Sequence, residues 1–159
     1  WRGGSAGADI RTGVWCAWRG CAAGRGGFFP CWMVLNNMEH LTKRFESMLD
    51  AAMHQDAPPA AFRAELAVPY ENLLVYFLFR YALKAVNDRQ LLPRVAACVF
   101  HLLCLRELLD DAGSETALCA AASLYSKEVE HSGENQQLLL KLFRRKTLTW
   151  QYLVSVLDA

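Results

Sequence analysis

The stretch YENLLVYFLFRYALKAV, Tyr70 to Val86, constrains the fold of this chain more than any other. Pro69 before it suits the first turn of a helix, where a missing N–H costs no intrahelical bond. On a helix, Leu73, Leu74, Phe77, Leu78 and Tyr81 make one broad apolar face. Val75, Phe79, Leu83 and Val86 fill much of the other. A helix that is apolar nearly all round is buried in protein or in a membrane. The exception is the i,i+4 row Asn72, Tyr76, Arg80, Lys84, Asp88. A membrane span needs about 20 apolar residues with few charges. Arg80 and Lys84 interrupt this run, so the pattern predicts a buried central helix and no membrane insertion.

The rest of the chain can be arranged around that run. Its 159 residues suit one domain with a sizeable core. A net charge of +1 gives no electrostatic argument for nucleic acid. Residues 1–32 differ in character from residues 33–159. They hold most of the glycines, four of the five tryptophans and three cysteines, without a helical or strand period. Cys16, Cys21 and Cys31 lack the close pairs of a structural zinc site. The expectation is a disordered or non-native leader at 1–32 and a helical domain at 33–159. With no initiator methionine and no charged-then-apolar leader, the chain is expected to be a fragment or a translation with an undetermined start.

From Met33 onward helical signals dominate. Asn36 or Asn37 is placed to cap a helix carrying Leu41, Phe45, Met48, Leu49 and Ala52. His54 to Pro59 ends it as a linker, and Ala60 to Leu66 is a candidate short helix. Pro93 opens the next helix, through the apolar run VAACVFHLLCL. Cys98, Cys104 and Cys119 lie inside such patterns, as buried free cysteines do. Ser114 caps a helix whose inward residues run from Leu118 to Val129, closed by Ser132-Gly133. A short helix, Glu134 to Phe143, ends in Arg144, Arg145 and Lys146, and Thr147 is read as the cap of a last helix. The predicted class is all-α, an irregular bundle of about six helices.

No stretch carries chemistry by itself. The four histidines have no metal-ligand spacing, and His101 reads as a core histidine with a satisfied hydrogen bond. Glu130 and His131 are adjacent, so on a helix they point about 100° apart and do not form an acid–base pair. Arg80, beside so much apolar surface, needs a partner, with Glu71, Glu107 or Glu130 the internal candidates and an anionic ligand the alternative.

Two blocks resemble the C-terminal helical region of the flagellin lysine-N-methylase family. One is Tyr70-Glu71-Asn72-Leu73-Leu74-Val75-Tyr76-Phe77-Leu78-Phe79-Arg80. The other is Leu124 to Ser132, followed by Leu138-Leu139 and by Leu148-Thr149-Trp150-Gln151-Tyr152-Leu153. The resemblance spans roughly residues 60–159. It implies a bacterial, cytoplasmic enzyme that methylates flagellin lysines from S-adenosylmethionine. It also implies a metal or iron–sulfur centre in a cysteine-rich N-terminal half that this chain lacks. Cys16, Cys21 and Cys31 do not reproduce that cysteine pattern, so no metal ligand or catalytic residue is assigned. Asn72, Tyr76, Arg80, Glu130 and His131 are expected in domain packing or substrate contact. The expected role is support of the catalytic half or docking of flagellin, inactive alone. The alternative is a stand-alone helical interaction module without enzyme activity.

Overall fold

The computed structural model describes residues 29–53, 64–109 and 114–157. Regular structure among them is helical throughout. Seven helices run in order: α1 Phe29–Asn36, α2 Lys43–Met53, α3 Ala67–Tyr81, α4 Leu91–Leu108, α5 Glu115–Tyr125, α6 Gly133–Arg144 and α7 Trp150–Leu157. Short pieces join them. A 3₁₀ turn, Ala64–Leu66, precedes α3, and a second, Ala82–Lys84, leads to a single α-turn, Ala85–Asp88. A π-turn, Ser126–Glu130, comes after α5.

The centre of the molecule is α4, not the Tyr70–Val86 run. All thirteen residues from Ala96 to Leu108 are buried, and α4 packs against α2, α3, α5, α6 and α7. Hydropathy alone does not rank two apolar runs; side-chain size does. Ala96, Ala97, Cys98 and Cys104 let neighbours approach α4 from every side, as close packing requires. The α3 run is built of Leu, Phe and Tyr and buries one stripe: Tyr70, Phe77 and Tyr81. Its other face is open to solvent, with Phe79 at 70% and Val86 at 83% exposure. No helix among the described residues is long and apolar enough to cross a membrane.

The helical body begins inside the segment read as leader. Residues 1–28 lie outside the described residues, but α1 starts at Phe29, and Cys31 and Trp32 are buried in the main core. The Cys31 thiol sits 3.4 Å from the Tyr152 hydroxyl, joining the first helix to the last. Burial pushes that thiol up to about 12, so Cys31 behaves as a small apolar side chain.

Several helix ends differ from the sequence reading. Asn36 closes α1, and the Asn37 amide donates back to Met33 O at 2.7 Å, so neither opens α2. Thr42 does, its hydroxyl accepting from Phe45 N at 3.4 Å, and Leu41 points outward. Thr149 rather than Thr147 caps α7, accepting from Tyr152 N at 3.2 Å. Thr147 instead donates its N–H to Leu142 O at 3.0 Å, closing α6, with Lys146 left-handed at φ 54°. Ser114 caps α5 as expected, through Ala117 N. Ser132 caps α6 through Asn135 N, so Gly133 opens that helix and does not stop the one before. Of the predicted linker at 54–59, and of the Ala60–Leu66 candidate, only Ala64–Leu66 lies within the described residues.

Candidate functional site

The π-turn Ser126–Glu130 organises the polar interior. His131 N–H donates to Ser126 O, five residues back, at 3.0 Å. The widened turn buries Glu128, Val129 and Glu130 in succession. Single π-turns inside helices recur at functional sites. Here the turn aims two carboxylates at two different helices.

Glu128 serves α2. It accepts from Leu41 N at 2.6 Å, Thr42 N at 3.2 Å and the Thr42 hydroxyl at 2.6 Å. A carboxylate is favoured by the free N–H groups and dipole at a helix N-terminus. Burial raises its pKa, but these hydrogen bonds outweigh burial and hold it below the usual value. Asn135 completes this corner, donating to Glu128 O and exchanging hydrogen bonds with the Glu39 backbone.

Glu130 serves α3. Its Oε1 accepts from the Tyr81 hydroxyl at 2.6 Å and the Tyr76 hydroxyl at 3.2 Å, with Arg80 Nε 3.5 Å away. The Arg80 guanidinium lies 5.8 Å from the Tyr76 ring centre and 5.7 Å from that of Tyr81. Lys84 Nζ lies 5.3 Å from the Tyr81 ring centre. His131 stands at the rim. Its Nε2 is 3.4 Å from an Arg80 nitrogen, and its Nδ1 is 2.7 Å from Ser126 O. Because arginine only donates, Nε2 accepts and Nδ1 carries the proton. Burial, with the Glu130 charge and hydrogen bond, raises both phenol pKa values. Both hydroxyls therefore stay protonated donors.

Four of the five residues singled out in the sequence thus meet in one place: Tyr76, Arg80, Glu130 and His131. Asn72 stays outside, exposed one turn earlier on α3. Glu130 is the acid that Arg80 meets, whereas Glu107 pairs with Arg106. Glu130 is buried and its neighbour His131 exposed, so they do not form an acid–base pair. Tyr81 and Glu128 were missed. Tyr81 read as an apolar position, and a π-turn leaves no periodic signal in sequence. Arg80→Met is expected to cost about 1 kcal/mol or less, because Arg80 is 40% exposed and Glu130 keeps two phenol donors. A urea midpoint checks this.

Among the described residues the donor set does not fit a metal or iron–sulfur centre. Such ligands are thiolates, neutral imidazoles or carboxylates on converging elements. Burial holds Cys31, Cys98 and Cys104 as neutral thiols, with Cys98 pushed up to about 11. No group of three His, Cys, Asp or Glu among the described residues could hold an ion. His101 is enclosed by Phe77, Tyr81, Phe100 and Tyr125.

A family model, the FliB lysine N-methylase C-terminal domain, matches residues 32–156. The chain belongs to that family. The match takes in α2 to α6 whole and nearly all of α7, with both arms of the π-turn, so the cluster is part of the FliB-type domain itself. Comparison with characterised proteins and with solved structures gives no match.

Proposed function

We propose that this FliB-type domain is the helical platform of a cytoplasmic methylase that modifies flagellin lysines. Methyl transfer from S-adenosylmethionine, and any metal or iron–sulfur centre, belong in this reading to a cysteine-rich catalytic portion that precedes the domain. The platform holds that portion through the outer face of α3. One observation carries this: Val68, Val75 and Phe79 on α3, Leu83 and Val86 in the two turns that follow it, and Leu91 and Leu92 at the start of α4 are all exposed. Apolar side chains exposed singly are ordinary, but a contiguous stripe marks an interaction surface. The family model supports the choice of occupant, because it describes a C-terminal domain of a lysine methylase.

Phe79→Asp combined with Leu83→Asp leaves the core intact, since both side chains face solvent. Calorimetry with the catalytic portion of a FliB-type methylase should show tight binding to the unmodified domain. The double variant should lose at least about tenfold in affinity, a charge in a desolvated apolar interface being costly. Equal affinities would overturn this assignment. Absence of any binding would favour the stand-alone interaction module.

A further inference from the structure

We propose that Tyr76, Tyr81 and Glu130 form a receptor for a methylated lysine side chain, with Arg80 as its internal stand-in. The inference rests on the methylase reading for the identity of the lysine, but the receptor geometry stands independently. A methylated ammonium is a diffuse cation with few or no hydrogen atoms to donate. It is recognised by aromatic faces within about 6 Å and by a nearby carboxylate. Here two tyrosine rings flank one cation at 5.8 and 5.7 Å, and a buried carboxylate lies behind them.

The ion pair between Arg80 and Glu130 is loose. A guanidinium paired with carboxylate commonly offers two nitrogens at about 2.7–2.9 Å. Arg80 brings one to Glu130, at 3.5 Å; the same Nε donates to the Tyr81 hydroxyl at 3.0 Å, and the side chain is 40% exposed. Glu130 does not depend on it for position, because the two phenol hydroxyls fix the carboxylate at 2.6 and 3.2 Å. Displacing Arg80 gives up its hydrogen bond to the Tyr81 hydroxyl and leaves both phenols on Glu130, so the aromatic walls and the acidic floor stay in place. Entry is by exchange and not addition, since Arg80 and Lys84 already set two positive charges against the Tyr81 ring. A methylase that retains its own product side chain in this way stays close to further lysines of the same substrate.

The test titrates the full 159-residue chain, followed by tyrosine ring NMR signals, with tetramethylammonium chloride and with lysine peptides. The peptides carry flagellin sequence with unmodified or trimethylated lysine. Arg80→Ala suits an exposed helical position, and Arg80→Gln is the longer control; far-UV circular dichroism confirms folding. Removing the stand-in should tighten tetramethylammonium and trimethyl-lysine binding about tenfold, and adding Tyr76→Ala should abolish it. Shifts should centre on Tyr76 and Tyr81. No binding by Arg80→Ala, or binding that Tyr76→Ala leaves unchanged, overturns the receptor. Tetramethylammonium binding without preference for the methylated peptide overturns the lysine assignment. Neither outcome touches the docking measurement, which reads substitutions at Phe79 and Leu83 and keeps Tyr76, Arg80, Tyr81 and Glu130.

Discussion

Arg106→Met is expected to destabilise the domain by about 3–5 kcal/mol, the usual cost of removing one partner of a buried ion pair. Arg106 and Glu107 are both almost fully buried at the end of α4. The guanidinium donates to Glu107 Oε1 through Nε at 3.0 Å and a terminal nitrogen at 2.8 Å. It also donates to Val156 O at 3.3 Å, near the C-terminal end of α7, where helix carbonyls lack intrahelical partners. One side chain thus joins α4 to α7 and balances an interior carboxylate. Methionine matches the length and removes the Arg106 charge from beside the buried Glu107 carboxylate. Urea unfolding of Arg106→Met beside the double variant Arg106→Met/Glu107→Leu separates charge from packing. The double variant should recover most of the loss. A single-variant loss under about 1 kcal/mol would show that the pair is not buried in solution.

Acidification supplies the second large effect, through His101. Burial lowers its pKa from the ordinary 6.5 to about 4. Gln136 Nε2 donates to its Nε2 at 3.4 Å, so Nδ1 carries the proton and donates to the Tyr125 hydroxyl oxygen at 2.8 Å. A second proton would turn the acceptor on Nε2 into a donor facing a donor. The folded pKa lies below the unfolded one, so the unfolded chain binds more protons between them. The stabilisation is complete above pH 6.5, declines as pH falls and is gone below about 4. The difference amounts to about 3 kcal/mol. Glu128, held below the usual carboxylate value, adds to the loss at the acid end as it protonates. Urea midpoints from pH 7 to pH 4 should fall steadily for the unmodified chain. His101→Phe should remove most of that slope above pH 5; an undiminished slope would place its origin elsewhere.

The all-helical class was legible because 3.6-residue periodicity survives in every segment after Met33. The inner helix was not. Tyr70–Val86 and Val95–Leu105 are both apolar runs, and only packing shows that the alanines and cysteines of α4 admit neighbours on all sides. Ser114 caps α5 as read, but two other caps failed for a related reason. Asn37 and Thr147 have suitable side chains, but Thr42 and Thr149 stand where the backbone turns. At the site, the polar row on α3 and the Glu130-His131 pair were visible as residues out of place in apolar surroundings. Their meeting depends on the π-turn, which obeys no repeat. The same limit hid Glu128, whose partners are backbone N–H groups of α2 and the Thr42 hydroxyl.

Hydrogen–deuterium exchange of the domain alone and joined to the catalytic portion of a FliB-type methylase tests the docking surface most directly. Assembly should slow exchange along Ala67–Asp88 and at Leu91 and Leu92, and leave α6 and α7 unchanged. Unchanged exchange in α3, or protection confined to α6 and α7, would contradict the platform reading.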